Sequence, residues 1–206
     1  MILKNYSVLV GFVSLMAALP ASATTYSPTS LKVKMYRVLI STDPLCTNPI
    51  VLWAPATPTV VDFVAAPTLG NGQVPDGNYP CMIWEMSDYV TMTAPTTSGQ
   101  CVAGTVYTQQ ICRTGSSSKS IAGVTTNCVT GVEDKITLYL STASTAAAQN
   151  SFFPPTSIGD TNNGLNLTAP LIVSGDQTGT LIFNGAGCLD DTQGCSGGQG
   201  PQMGFR

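Results

Sequence analysis

Hydrophobic residues recur along this chain in short runs rich in valine, isoleucine, threonine and aromatic residues. Glycine, proline, asparagine and aspartate separate these runs, and this spacing is typical of strands joined by turns in a β-sandwich or barrel. Helical signal is nearly absent, because only residues 142–150 could form about two turns before Pro154 and Pro155 prevent continuation. The pattern therefore predicts an all-β fold, with strands at residues 31–41, 50–53, 59–64, 78–93, 103–112, 135–142, 165–173 and 178–184.

The clearest alternation lies in the predicted strand at residues 78–93. One face is apolar and the other is largely polar, as expected for a strand with one buried face. We expect the apolar face to be buried and Glu85 and Ser87 to reach solvent. Asp88 interrupts the apolar face, so a bulge or turn is expected at Ser87–Asp88. The apolar face comprises Met82, Trp84, Met86, Val90 and Met92. A second alternation places Ile136, Leu138 and Leu140 opposite Tyr139.

Residues 74–79, with the sequence VPDGNY, form a turn that leads directly into a strand. Proline fixes φ at the first corner and glycine accepts the positive φ. In this entry into the strand, proline is followed by a small residue, glycine, any residue and tyrosine. Such an entry resembles that of the transthyretin-like (prealbumin-like) Ig-type sandwiches of secreted proteins. Residues 170–183 look like the final hairpin of such modules. The resemblance implies a single antiparallel Ig-like β-sandwich, with the tyrosine packed at a sheet edge. We place this domain at residues 24–184 and a glycine-rich tail at residues 185–206.

The first 23 residues have the order of a secretory signal peptide. Lys4 precedes an uncharged run at residues 8–19, and Pro20 is followed by the small residues of positions 21–23. A helix of twelve residues would span about 18 Å, which is shorter than the ~30 Å hydrocarbon core. We therefore expect cleavage before Thr24, no membrane span afterwards, and a secreted, periplasmic or cell-surface location. The short leader and the composition suggest a bacterial source.

Charged residues make up only 9% of the chain, far below the ~25% usual in soluble domains. The surface must then be covered by threonine, serine, asparagine, glutamine and glycine, as in many extracellular β-proteins and fibre or coat components. The net charge is −3 and the cations form no basic patch. A nucleic-acid partner is therefore not expected.

Seven cysteines follow the leader. In an oxidising compartment they predict three disulfides and one unpaired thiol. A zinc site is not expected, because the chain has no histidine and no Cys-x-x-Cys spacing. Cys188 and Cys195 flank a turn rich in glycine and aspartate, and they are predicted to pair and to staple the tail.

Cys112 has two predicted partners. If residues 82–93 and 101–112 form a hairpin, Cys112 faces Cys81. If Cys112 instead closes the loop of sequence GSSSKSIAG, its partner is Cys128. The spacing leaves both pairings open.

No catalytic residue is predicted. Residues 194–198 match the G-x-S-x-G pattern of serine hydrolases, but the chain has no histidine to accept the serine proton. Glu85 and Asp88 have opposite parity on a strand, and the acidic pairs at 133–134 and 190–191 lie in turns, where carboxylates usually organise the backbone.

Two sets of residues are candidates for binding. Trp53, Trp84 and Tyr107, together with Tyr36, could form a platform on which sugar rings stack. Asp160 and Asn162 lie in a D-x-N-x-G segment whose spacing resembles that of calcium loops. Position twelve of that loop is Leu171 rather than a carboxylate, so an Asx turn is favoured over a Ca²⁺ site, and no other cofactor is expected.

These features predict a non-enzymatic exported protein of the surface or envelope, structural or adhesin-like, with a protein or glycan partner. The alternative is a β-sandwich module that binds carbohydrate or another small ligand.

N-terminal sequencing of the exported protein should begin at Thr24 or within a few residues of it, because the small residues at positions 21–23 form the expected cleavage site. A mature protein that retains residues 1–23 would contradict the predicted location.

Overall fold

The computed structural model describes residues 24–65, 74–145, 150–175, 181–192, 194–195 and 202–205. Within these ranges the chain forms strands, turns and loops with no helix, which confirms the predicted all-β class. No helix in this part of the chain is long and apolar enough to cross a membrane. The predicted signal peptide, residues 1–23, lies outside the described ranges.

Fifteen strands lie in these ranges, and several coincide closely with the predicted ones. Their bounds are β1 Thr25–Tyr26, β2 Ser30–Ser41, β3 Ile50–Trp53, β4 Thr59–Asp62, β5 Gly77–Tyr79, β6 Cys81–Thr93, β7 Val106–Gln110, β8 Ser117–Lys119, β9 Thr125–Asn127, β10 Lys135–Ser141, β11 Leu165–Asn166, β12 Leu171–Val173, β13 Leu181–Asn184, β14 Leu189–Asp190 and β15 Gln202–Phe205.

The main sheet is built on two long antiparallel strands, β2 and β6. They pair from Ser30 opposite Thr93 to Ser41 opposite Cys81. Each is long enough for two short strands to pair end to end along its other edge. β4 and β3 pair with β2, while β7 and β10 pair with β6. β11 extends the sheet as a parallel neighbour of β10.

β6 carries the predicted bulge. Val33 lies opposite Val90 and Met35 opposite Met86, so three residues of β6 face one residue of β2. The irregularity includes Ser87 and Asp88, which confirms the expectation. Asp88 is fully buried, and it lies where the end of β7 meets the start of β10 along β6.

The apolar face of β6 is buried, as predicted. Trp84 lies between Val38 of β2 and Leu138 of β10 in the register of the sheet, and it belongs to the largest hydrophobic cluster. Phe63, which follows β4, stacks on its indole ring with 4.7 Å between ring centroids. Burying two large aromatic rings in contact contributes strongly to stability.

The opposite face of β6 is also covered, which contradicts the expected solvent exposure of Glu85 and Ser87. Their exposed fractions are 4% and 1%. Ile83 and Tyr139 pack there in a second hydrophobic cluster. The β8 strand bonds to β10 nearby, because Thr137 donates its N–H to the hydroxyl oxygen of Ser118. The alternation of residues along β6 shows which face is polar. It does not show which other segments of the chain cover that face.

The other strands form four two-stranded ribbons, which are β1 with β14, β5 with β12, β8 with β9, and β13 with β15. The hairpin predicted within residues 170–183 is therefore wrong, because β12 pairs with β5 and β13 pairs with β15. Residues 74–79 enter β5 through a bend at Asp76, and buried Tyr79 donates its hydroxyl to the carbonyl of Pro75 at 2.6 Å. The positive φ expected at the glycine of this turn is wrong, because Gly77 is the first residue of β5 and has no positive φ.

Six cysteines form three disulfides and one remains unpaired, as the count predicted. Cys112 pairs with Cys128, which settles the two alternatives in favour of the closed loop. Cys81 pairs instead with Cys46, in the connection between β2 and β3.

The predicted bridge between Cys188 and Cys195 is wrong. Cys195 pairs with Cys101, 94 residues earlier, and Cys188 is a buried free thiol. The turn before Cys195 is held against the connection between β6 and β7, because Gly194 donates its N–H to the side chain of Gln100. Cys188 instead packs into the main core, where burial raises the pKa of its thiol to about 11.

Replacing Trp84 with alanine should lower the free energy of unfolding by ~3–5 kcal/mol, the usual cost of deleting a large buried aromatic side chain. Val60→Ala is the control, since Val60 is 61% exposed and its loss should cost no more than ~0.5 kcal/mol. Chemical denaturation measures both variants. Similar small losses for the two would contradict the assignment of the core.

Candidate functional site

The predicted aromatic platform is not assembled. Trp84 is 3% exposed and lies beneath Phe63. Trp53 belongs to β3 and Tyr107 to β7, and these strands flank the β2–β6 pair on opposite sides. Tyr36 lies on β2, with the ammonium of Lys135 5.3 Å from the centre of its ring. The four aromatic side chains therefore do not share a surface.

Trp53 and Tyr107 have structural contacts instead. Trp53 is half-buried and packs against the main core beside Val38. The hydroxyl of Tyr107 accepts the N–H of Val102 and donates to the carbonyl of Gln100. That hydroxyl thus ties down the connection between β6 and β7.

The predicted calcium segment is an Asx turn. The buried carboxylate of Asp160 accepts hydrogen bonds from the backbone N–H groups of Thr156, Asn162 and Asn163. These bonds hold the pKa of that carboxyl well below its usual range. Asn162 contributes its backbone and its side chain is exposed. In the described ranges no three acidic, cysteine or histidine side chains form a group that could hold a metal ion.

The serine of the G-x-S-x-G pattern, Ser196, lies outside the described residues. The neighbouring acidic pair at 190–191 organises the backbone. Asp191 accepts the N–H of Thr24 and the hydroxyl of Ser98, while Asp190 accepts both donors of Thr192.

A group of charged side chains covers Glu85 on the second face of the main sheet. Arg37 donates two hydrogen bonds to the Glu85 carboxylate, at 2.6 and 2.7 Å, and Lys135 approaches the same carboxylate at 2.6 Å. Lys34 pairs with Glu133, which also accepts the hydroxyl of Ser87. We call Lys34, Arg37, Glu85, Glu133 and Lys135 the ionic cluster.

The ionic cluster keeps its carboxylates ionised. Burial raises the pKa of the Glu85 carboxyl, whereas the hydrogen bonds from Arg37 and Lys135 lower it. The lowering outweighs the effect of burial, so the pKa lies below its ordinary value. The hydrogen bond from Lys34 likewise lowers the pKa of Glu133. Both oxygens of Glu85 are bonded, whereas Lys34 and Ser87 reach the same oxygen of Glu133, whose side chain is 40% exposed. The arrangement links β2, β6 and β10 across this face of the sheet.

A cleft of about 300 Å³ opens beside the second hydrophobic cluster. Residues 45–49 form one wall and residues 119–121 with Gly123 form the other, while Tyr139 and Pro154 complete the lining. Tyr139 donates its hydroxyl to the carbonyl of Lys119 at 2.8 Å. Burial, and then the nearby charge of Glu85, raise the pKa of Tyr139 to about 12. It therefore stays neutral at the base of the cleft.

The first wall of the cleft is held in one conformation. Cys46 and Asn48 both have positive φ, at 64° and 47°, a region that costs most non-glycine residues about 1–2 kcal/mol. The disulfide to Cys81 anchors the wall at β6. Asp43 accepts the N–H of Leu45 and the hydroxyl of Thr47. Strained backbone of this kind persists where the surroundings fix it, and it often marks binding sites.

Sequence reasoning missed both the ionic cluster and the cleft. Their residues come from segments that are distant in the chain, such as Asn48, Lys119 and Pro154, and no local spacing signals their approach. The asparagine at position 48 is a local hint in the sequence, since asparagine is among the non-glycine residues that most often adopt a positive φ.

Comparison with family models, with curated proteins and with solved structures gave no match.

Replacing Glu85 with glutamine should destabilise the protein by ~1.5–3 kcal/mol at neutral pH, the range for hydrogen bonds to charged groups. Because the pKa of Glu85 is lowered in the folded protein, its contribution is complete above the unfolded pKa of about 4.3. It is lost as the pH falls through the lower folded value. The stability difference between wild type and Glu85→Gln should therefore shrink in acid.

Urea denaturation between neutral pH and pH ~3 measures this effect. Glu133→Gln is the matched control, since Glu133 pairs with Lys34 but is 40% exposed, and its loss should matter less. A pH-independent difference for Glu85→Gln would contradict the role of the ionised carboxylate.

Proposed function

We propose that the chain is an exported, non-enzymatic component of a cell surface or envelope, structural or adhesin-like. The observation that carries this proposal is the set of three disulfides, Cys46–Cys81, Cys101–Cys195 and Cys112–Cys128. Such bonds form and persist in oxidising compartments. The leader predicted at residues 1–23 supplies a route to one.

Each disulfide ties a connection or terminal segment to the rest of the fold. Cys46–Cys81 joins the connection after β2 to the first residue of β6, and Cys112–Cys128 closes the base of the β8–β9 ribbon. Cys101–Cys195 encloses 94 residues, and in the chain-entropy model a loop of that size contributes about 4.7 kcal/mol. A scaffold stabilised in this way suits a protein that works outside the cell.

The outer edge of the main sheet fits a self-contained module better than a fibre subunit assembled by strand exchange. β3 has only four residues, Pro49 precedes it, and Pro55 and Pro58 separate it from β4. Short strands and prolines limit pairing with a strand from another chain. Residues 202–205, near the C-terminus, pair with β13 of their own chain.

A relationship to transthyretin-like Ig-type sandwiches is part of this proposal. The entry into β5 supports it, because buried Tyr79 bonds back to the carbonyl of Pro75. The separate ribbons, including β5 with β12 and β13 with β15, differ from the single continuous sandwich that the resemblance implies.

A ligand-binding module is the second candidate function. The cleft between residues 45–49 and 119–123 favours it, because both apolar and polar residues line its walls. One wall is also anchored by a disulfide. Small-ligand sites are usually concave, largely pre-formed and lined by a few polar groups.

To test the proposed export, the full chain is expressed in a bacterial host with a periplasm, beside a variant that starts at Thr24. The full chain should be recovered outside the cytoplasm without its leader. Non-reducing peptide mapping should then show Cys101 joined to Cys195 and Cys188 free. The variant without the leader should stay in the cytoplasm with its cysteines reduced.

Retention of the full chain in the cytoplasm, with reduced cysteines, would contradict the proposal. Recovery outside the cytoplasm with Cys188 joined to Cys195 would support export but contradict the disulfide connectivity.

A further inference from the structure

We propose that the cleft binds a sugar unit that carries a carboxylate, such as a uronic acid residue of a polysaccharide. This inference rests on the proposed function, since an exported surface protein encounters such sugars, and it assigns a ligand class to one place on the molecule. Four properties of the cleft lead to it: its charge, its free donors, its apolar walls and its size.

Among the described residues that line the cleft, Lys119 is the only charged one. In the described part of the chain its ammonium has no ion pair, whereas Lys34, Arg37 and Lys135 are paired in the ionic cluster. Asp43, which precedes the first wall in the chain, uses its oxygens to accept bonds from Leu45 and Thr47. An anionic group on the ligand would give Lys119 the partner that the described residues do not provide.

Besides Lys119, two described polar side chains that line the cleft have hydrogen-bond donors free for a ligand. The side-chain amide of exposed Asn48 has no hydrogen-bond partner among the described residues. Ser120 accepts the N–H of Val124 at its hydroxyl oxygen, so its own O–H is free to donate. Thr47 already donates its hydroxyl to the carboxylate of Asp43, and Tyr139 donates its hydroxyl to the carbonyl of Lys119. A ligand with many acceptor oxygens, as in a sugar carboxylate, matches this set.

The walls also offer apolar surface. Leu45, Pro49, Ile121 and Pro154 line the cleft beside the polar groups, and their C–H surfaces suit the apolar faces of a pyranose ring. The volume of about 300 Å³ is at the lower end for small-molecule sites. It is roomy for a simple inorganic anion, which would leave the apolar walls without contacts, and it is adequate for one sugar ring.

The wall that presents Asn48 is already shaped for binding. Because the disulfide of Cys46 and the bonds of Asp43 fix this wall, little conformational entropy remains to be lost when a ligand docks. A monosaccharide should therefore bind measurably without help from neighbouring sugar units.

The test is an NMR titration of the purified, disulfide-bonded protein with sodium glucuronate, glucose and sodium acetate. Glucuronate should shift the amide signals of residues 45–49 and 119–123, and it should bind more tightly than either glucose or acetate. Rising salt should weaken its binding, since one charge pair contributes.

Two variants locate the contacts. Lys119→Gln should weaken glucuronate binding about tenfold or more, the effect of one charge-assisted hydrogen bond. It should leave the weaker binding of glucose unchanged. Asn48→Gly removes the amide while it keeps the positive φ without strain, and it should weaken both sugars. Lys32→Gln is the matched control, since Lys32 lies at the far end of β2 beside Asp62, and it should bind as wild type does.

Each alternative result overturns the proposal. Equal binding of glucose and glucuronate would show that Lys119 takes no part, and equal binding of acetate would show a simple anion site. Absence of shifts in residues 45–49 and 119–123, in a protein whose folded spectrum is intact, would remove the cleft as a binding site. None of these outcomes would affect the export test, so the two proposals fail separately.

Discussion

The carboxylate of Asp88 lies fully buried at the bulge in β6, where two partner strands meet. One of its oxygens accepts the N–H of Asp134 and the other accepts the side chain of Gln110. The backbone of Asp88 also bonds to Asp134 and to Ile111. A buried polar group is costly unless its hydrogen bonds are satisfied, and the bonds of Asp88 tie β7, β10 and the loop before β10 together. The registers of β7 and β10 along β6 both end at this position.

The second face of the sheet follows from the same arrangement. With β10 held beside β6, Lys135 and Arg37 meet over Glu85, although 98 residues separate them in the chain. The polar pattern of β6 predicted an exposed face, because a glutamate in a strand is most often solvated. The partners that permit the burial of Glu85 come from other strands. Nothing in the sequence of residues 81–93 indicates them.

The difference between local and distant information explains what could be predicted. Strand positions follow from the period of two in side-chain direction, so residues 50–53 were placed correctly and the bulge was found from Asp88 alone. Cys112–Cys128 closes a short loop of the chain, whereas Cys101–Cys195 depends on contacts that bring the C-terminal segment to the β6–β7 connection. Proximity in sequence suggested Cys188 for that role, but Cys195 is bonded to Cys101 and Cys188 is a free thiol.

The cleft connects the disulfides with the proposed binding. Its first wall holds Cys46 at a φ of 64°, a region that costs a non-glycine residue about 1–2 kcal/mol. The bond to Cys81 and the hydrogen bonds of Asp43 retain it. In a reducing compartment that bond would be absent, and the wall would lose its covalent anchor to β6. The shape of this wall therefore depends in part on the Cys46–Cys81 bond, which the proposed export would allow to form.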